Sequence, residues 1–340
     1  MEAASAPGGG RALLARSPLA RLPDRVLKYG LTVLAALILV LIVFFFFELV
    51  GEARPAFEKD VLGFVFHNNW NPSAEDFGAW PLVVGTLITS ALALVIGVPV
   101  AVAAAVYATE LCPLRLRTPL SILVELLAAV PSVVYGLWGI FFLAPKLQPA
   151  EQWVADKLSF VPFIGGGLVT IPNYFVAGLV MAIMILPIVS AISREVMATV
   201  PADHKEAALG LGATRWEMIR LAVLPYCRSG IVGGAMLGLG RAIGETIAVT
   251  ILIGDAPKLG HQLFGQGYTL AAVIANEFGE AQGLHRSALF AAALLLFVLT
   301  LFVNGFARAL VVRAARRTGQ TGAEASTGGT SMVAGVAAGA

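Results

Sequence analysis

Cysteine and charge are both scarce in this chain. Only two of its 340 residues are cysteines, Cys112 and Cys227, and only 13% of the residues are charged. The two cysteines lack metal-ligand spacing, and both fall on segments that we predict below to be cytoplasmic, where disulfides are rare. We therefore expect both to be packing residues near helix ends. The low charge content excludes an ordinary soluble domain, in which about 25% of the residues are charged.

Catalytic motifs are missing as well. No Gly-x-x-x-x-Gly-Lys-Ser/Thr phosphate loop occurs, so the chain itself is not expected to hydrolyse ATP. No pair of carboxylates lies in an apolar stretch for acid–base chemistry. The four histidines form neither a zinc motif nor a triad-like set, and they are scattered over His67, His204, His261 and His285. We therefore expect neither an enzyme nor a protein with a metal or organic cofactor.

Long apolar stretches are abundant instead. The chain is 58% hydrophobic, with a mean hydropathy of +0.84, and a helix crosses a bilayer with about 20 apolar residues. Six stretches meet this length, and the alternating pattern of barrel strands is absent. The stretches are residues 29–50, 82–108, 119–143, 173–193, 229–253 and 287–311. The sequence thus predicts an all-α polytopic integral membrane protein with six transmembrane helices. The first stretch also has features of a signal peptide, but the 17 unbroken apolar or small residues at 31–47 favour a permanent anchor.

Basic residues are unevenly distributed between the two sides of the membrane. If the six stretches cross alternately from an inside N-terminus, 16 Lys and Arg residues fall on inside segments and 6 on outside segments, while Arg241 lies within a span. The six outside residues are Arg54, Lys59, Lys146, Lys157, Lys258 and Arg286. The positive-inside rule therefore predicts that the N- and C-termini are both cytoplasmic.

The two ends of the chain contain too few apolar side chains to pack. We predict a flexible basic cytoplasmic tail over residues 1–28 and a second flexible cytoplasmic tail over residues 312–340. Residues 29–81 are predicted to form the first transmembrane helix and an outside loop. Residues 82–311 are predicted to form a transmembrane domain with a cytoplasmic loop at 201–225. The dense aromatic residues of the outside loop indicate a folded loop or an interfacial belt, and leave open whether the loop docks an outside partner.

A short polar segment, residues 201–225, separates two very apolar stretches. Asp203 is a plausible helix cap, with Glu206 in capping-box spacing. We expect a first helix over residues 205–212, a turn at one of its glycines, and a second helix over residues 214–223 that ends at a proline. The spacing alone leaves open a plain amphipathic loop that rests on the lipid headgroups.

Two ionisable residues, Arg241 and Glu245, lie near the centre of the fifth stretch. On a continuous helix they are neighbours and share a face with Gly230 and Gly234, at about 100° per residue. Ionisable groups at that depth are costly unless they are paired or face a cavity. A guanidinium group binds two oxygens at once, which suits phosphate or a carboxylate. The residues alone leave two alternatives: a permanent Arg–Glu bridge, or an anion-binding arginine that Glu245 releases.

The polar segment resembles the EAA loop of binding-protein-dependent ABC-importer permeases. The resemblance rests on Glu206-Ala207-Ala208, a glycine at the seventh motif position, and the closing Leu224-Pro225; Ala222 stands where isoleucine is usual. In that family the loop docks onto the ATPase that drives transport. The resemblance implies ATPase-coupling roles for Glu206, Ala207, Ala208, Gly212 and Ala213.

A second motif resembles the phosphate-specific permeases of the PstC and PstA families. It runs from Gly240 to Thr246 and reads Gly-Arg-Ala-Ile-Gly-Glu-Thr, and both its continuation to Thr250 and residues 130–140 favour the PstC type. The resemblance implies a type I ABC-importer permease in the plasma (inner) membrane. It assigns substrate binding to Arg241, Glu245 and Thr246.

The resemblance also implies a set of partners. They are a PstA-like second permease, a dimer of PstB-like ATPase subunits, a PstS-like extracytoplasmic phosphate-binding protein, phosphate itself and membrane lipid, with no nucleic acid and no cofactor. A permease for another oxyanion, such as sulfate or molybdate, and a passive anion channel are the alternatives.

Overall fold

The computed structural model describes residues 22–58, 61–161, 163–165, 168–257 and 263–317. Most of these residues are helical. The first half contains α1 (Leu22–Phe57), α2 (Val61–Phe66), β1 (Trp70–Asn71), β2 (Asp76–Phe77), α3 (Trp80–Val106), α4 (Leu114–Ala129), α5 (Ser132–Trp138) and α6 (Ala144–Lys157). The second half contains α7 (Tyr174–Ala198), α8 (Ala202–Gly210), α9 (Arg215–Met218), α10 (Leu224–Ile243), α11 (Ile247–Ile253), α12 (Leu270–Glu277) and α13 (Gly283–Arg317).

The chain divides into two units, Met1–Gly51 and Glu52–Ala340. The described part of the first unit is a single apolar helical stretch whose side chains are mostly exposed. Residues 1–21 and 318–340, which make up most of the two predicted tails, lie outside the described residues. Residues 22–28 and 312–317, also predicted as tail, instead extend α1 and α13.

Within the described ranges, five helical stretches are long and apolar enough to cross a membrane. They are Val26–Phe57, Trp80–Leu111, Tyr174–Ala198, Arg215–Ile243 and Gly283–Ala309. A sixth crossing is the pair Leu114–Ala129 and Ser132–Lys157, which is bent by 91°. The all-α membrane architecture predicted from the sequence is confirmed, with six crossings when the bent pair is one span.

The third predicted span, residues 119–143, is wrong as one continuous helix. The ring of Pro131 disfavours helical backbone at the residue before it, and Val130 is extended, with φ −71° and ψ 127°. α4 therefore ends before the proline and α5 begins after it. The Tyr135 hydroxyl donates a hydrogen bond to the Leu127 carbonyl across the bend, at 2.8 Å.

Three π-helical segments among the described residues share one sequence feature. They are Tyr107–Leu111, Gly139–Leu143 and Ile219–Val223, and each ends two residues before a proline, at Pro113, Pro145 and Pro225. The last two run on directly into α6 and α10. Proline has no N–H to donate to the preceding turn, so the hydrogen-bond ladder widens locally while the helix continues. The helix that was predicted to end at Pro225 therefore runs on into α10.

The core is built around α3 and α7, with the short helix α11 buried against them. One apolar cluster unites these helices with α5, through residues such as Tyr135, Val180 and Leu252. A second cluster closes the end of the bundle where α3 and α7 finish, around Met197 and Cys227. Both cysteines are buried and unpaired near helix ends, as predicted.

The segment before α3 folds into a small cap, residues 61–79. Trp70 is 2% exposed, and its indole N–H donates to Glu277 Oε2 at 2.9 Å. His285 Nε2 lies 2.8 Å from the same oxygen, and the His285 ring stacks on Phe77 with 5.5 Å between centroids. The aromatic residues of this segment thus form a folded structure tied to α12 and α13, which confirms the folded-loop alternative.

Candidate functional site

The fifth predicted span, residues 229–253, is broken at the motif that carries its charges. α10 ends at Ile243, and α11 begins only at Ile247. Arg241 therefore lies in the last turn of α10, whereas Glu245 and Thr246 lie in the break. The prediction that Arg241 and Glu245 are neighbours on one helix face is wrong, because the helix does not continue between them.

Glu245 contacts the helix that follows it. Its Oε1 accepts a hydrogen bond from the Ala248 N–H at 3.4 Å, at the N-terminus of α11. A carboxylate in this position satisfies an N–H that has no partner within the helix. The structure contains no ion pair between Arg241 and Glu245, both of which are described residues. The permanent Arg–Glu bridge considered above is therefore not present in this state.

Arg241 instead lines an open cavity of about 700 Å³ between α7, α10 and α13. The cavity is lined by Ile188, Ser229, Gly233, Met236, Leu237, Gly240, Arg241, Asn304 and Arg308. Arg241 is exposed in this structure, while its neighbours Ala242 and Ile243 are buried. An exposed guanidinium beside an open cavity is available to an anion. Glu245 and Thr246 are not among the lining residues.

The glycines of α10 at positions 230, 234 and 238 form a glycine seam that packs on α7. A Cβ at Gly230 would collide with Val196 of α7, and a Cβ at Gly238 would lie 2.9 Å from Val189 Cγ2 of the same helix. Small residues on this face let α10 pack closely on α7. Arg241 comes 11 residues after Gly230 and 7 after Gly234 in the same continuous helix, so it lies within about 20° of both around the helix axis. Its side chain, however, is exposed beside the cavity and does not pack on α7 as the glycines do.

Sequence reasoning missed Asn304 and Arg308 as cavity residues. Arg308 is one of the 16 basic residues that the positive-inside rule assigns to the inside segments, and Asn304 belongs to no motif. Both lie on α13, more than 60 positions after Arg241, so no local motif joins them to it. The available signal was their spacing of four residues near the end of the last apolar stretch.

The EAA segment, residues 201–225, folds as two short helices joined by a left-handed glycine. The turn follows α8 and is made at Gly212, which has φ +86°. The predicted capping box at Asp203 and Glu206 is wrong, because α8 begins after Pro201 and its cap makes no side-chain hydrogen bond. The capping box instead joins Thr214 to Glu217 at the start of α9.

The EAA segment encloses a groove of about 540 Å³. The groove is lined by Ala207, Ala208, Leu211, Gly212, Ala213, Glu217, Leu221 and Ala222. Four of the five predicted coupling residues are in this lining, while Glu206 is exposed on α8 outside it. Leu211 is 91% exposed, and its apolar side chain at the rim offers a contact to a partner.

The EAA segment is fixed to the rest of the bundle. Met218 and Val223 are buried against the ends of α3 and α7. Lys205 Nζ also lies 2.7 Å from Glu110 Oε1, whose side chain is 8% exposed. The groove therefore rests on a packed base and presents its open side outward.

A family model described as the binding-protein-dependent transport system inner membrane component matches residues 97–316. The chain belongs to this family. It is thus a multi-pass inner-membrane protein and the membrane component of a transport system, as the apolar spans also indicate.

Similar proteins from several bacteria cover most of the chain. The phosphate transport system permease protein PstC of Pasteurella multocida is 45% identical over 278 residues, which are 80% of this chain and 87% of that protein. The PstC protein of Mesorhizobium japonicum is 42% identical over 304 residues, 88% of this chain and 93% of that protein.

A solved structure shows the same fold. It is a bacterial ABC transporter involved in the import of the acidic polysaccharide alginate, matched with a TM-score of 0.57. The match covers 86% of this chain and 99% of that chain at 20% identity. This chain therefore has the fold of a membrane-spanning chain of that ABC transporter.

Proposed function

We propose that this chain is the membrane-spanning permease subunit of an ATP-driven phosphate importer. It forms half of the phosphate path and couples to a separate ATPase subunit. The observation that carries the proposal is Arg241, which lies in a phosphate-permease-like motif and lines an open cavity between helices. The PstC proteins at 45% and 42% identity support phosphate as the substrate.

Arg241 supplies the chemistry that phosphate needs. Its guanidinium presents two parallel N–H donors to two oxygens of a tetrahedral anion. An equivalent arginine of the partner permease adds to this site, and the site holds the anion only transiently. The negative charge of Glu245, at the start of α11, lowers the affinity for the anion near the break. Thr246 provides a hydroxyl at the same place.

The EAA groove supports coupling to the ATPase. The chain has no phosphate loop of its own, so the energy has to come from a partner. The groove and its rim leucine receive a helix end or loop of that partner. The remaining partners are a second permease that completes the cavity and an extracytoplasmic phosphate-binding protein on the side of the cap, with both termini of this chain in the cytoplasm.

The test is transport by the reconstituted complex of two permeases, ATPases and binding protein. We expect labelled phosphate to cross only with hydrolysable ATP and with the binding protein present. Excess unlabelled phosphate should block the flux, and excess sulfate or molybdate should not. Equal competition by sulfate or molybdate would assign the chain to another oxyanion, and flux without ATP would make it a channel.

A further inference from the structure

A second group of hydrogen-bonding side chains lines the Arg241 cavity. Asn304 and Arg308 are four residues apart on α13, so they point to one side of that helix, and both line the cavity. Ser229 adds a hydroxyl from α10 on the opposite wall. No carboxylate is among the described residues that line the cavity, so its polar groups are all neutral or cationic.

The second group lies at a different depth from Arg241. α10 begins beside the ends of α3 and α7 and α13 begins beside the cap, so the two helices run in opposite directions. His285 of α13 stacks on Phe77 of the cap. Arg308 is 23 residues after His285, which is about 34 Å farther along α13. It therefore lies toward the EAA end of the bundle. Ser229, near the same end of α10, is 12 residues from Arg241, about 18 Å along the helix.

We propose that Asn304 and Arg308 form a second, inner oxyanion-binding position in this cavity. The anion passes from Arg241 to this position before it leaves at the EAA end. The inference rests on the proposed function and adds the place of exit to it. The Arg308 guanidinium binds two oxygens of the anion, and the Asn304 amide donates to a third. Two weak positions in series let an anion move on without a long step through an apolar cavity.

An arginine at this end of a span also serves as a membrane anchor, because basic side chains collect on the cytoplasmic side. The experiment therefore has to separate anchoring from binding. Arg228 offers a matched control. It is an exposed arginine on α10, next to Ser229 in sequence and not part of the cavity lining.

The test is product inhibition in proteoliposomes that hold the complete complex. Binding protein and labelled phosphate are enclosed, and ATP added to the bath energises only complexes whose ATPases face the bath. Unlabelled phosphate in the bath then reaches the inner position first. Losing one charged hydrogen-bond partner weakens binding about tenfold. We expect Arg308→Gln to need about tenfold more bath phosphate for half-inhibition than the wild type, with Arg308→Lys between the two and Arg228→Gln unchanged.

An inhibition curve of Arg308→Gln that superimposes on that of Arg228→Gln would overturn the inner position, whatever the turnover of the variant. If Arg308→Gln does not assemble, Asn304→Ala is compared with Arg228→Gln instead, because it keeps all charges. An inhibition curve of Asn304→Ala that superimposes on that of Arg228→Gln would also overturn the proposal. Failure of the proposed function looks different, because the wild-type complex would then move no phosphate with ATP.

Discussion

At the scale of a single residue, the backbone conformation of Gly212 makes the turn of the EAA segment. Its φ of +86° lies in the left-handed region, and a Cβ there would meet no atom within 4 Å. The restriction therefore comes from the backbone and not from a neighbouring side chain. Gly210 has equally open surroundings, but it lies in α8. Replacing each of the two glycines by alanine therefore compares the same substitution in a left-handed and in a helical backbone.

We predict that Gly212→Ala uncouples transport and lowers the thermal stability of the assembled complex. Placing an L-residue in the left-handed region costs about 1–2 kcal/mol. The backbone φ of residue 212 then departs from +86°, and the groove lined by the turn is deformed. Gly210→Ala should be neutral or slightly stabilising, since alanine is the better helix former. The measurements are the phosphate moved per ATP hydrolysed and the apparent Tm. Equal effects of the two variants would contradict the account of the turn.

The sequence located Arg241 correctly but not its surroundings. Its depth in an apolar stretch and its motif identified it as a candidate. The residues around its side chain depend on where α7 and α13 pack, and one stretch of sequence does not contain that information. Asn304 and Arg308 were missed for the same reason, since they join the cavity from a distant helix.

At the scale of secondary-structure elements, the third and the fifth predicted spans are each broken into two helices. A hydropathy average over about 20 residues reports composition, so it does not detect a break of two or three residues within an apolar stretch. The break at Pro131 follows from a local steric rule and was predictable. The break at residues 244–246 follows from no such rule, because nothing in Gly-Glu-Thr excludes a helix. It depends on tertiary packing of α11 in the core.

Glu277 joins three elements, because one of its oxygens meets the indole of Trp70 in β1 and the ring of His285 in α13. We predict that Glu277→Ala destabilises the cap by about 1–3 kcal/mol, the cost of a buried donor left without an acceptor. Glu280→Ala, at an exposed position three residues later, is the control. Thermal unfolding and limited proteolysis of the cap are the measurements. An unchanged cap in the first variant would show that the aromatic packing alone holds it.

At the scale of the whole molecule, one helical span joins the EAA groove and the Arg241 cavity. Arg215–Ile243 runs for 29 residues from the EAA segment to the turn of Arg241, about 39 Å between Arg215 and Arg241. The sequence predicted a stop at Pro225, which would have separated the sites. Since α10 also packs closely on α7 through its glycine seam, we expect a displacement of the EAA segment to reach the cavity through this helix and its neighbour.

The central claim is that Arg241 binds phosphate on its path through the membrane. The most direct measurement is ATP-dependent phosphate uptake by Arg241→Ala, compared with the wild type and Arg228→Ala at equal membrane levels and equal complex assembly. Charged hydrogen bonds contribute about 1.5–3 kcal/mol, so we predict that uptake falls about 10- to 100-fold in Arg241→Ala and stays unchanged in Arg228→Ala. Normal uptake by assembled Arg241→Ala would contradict the account and move the anion site to the partner permease.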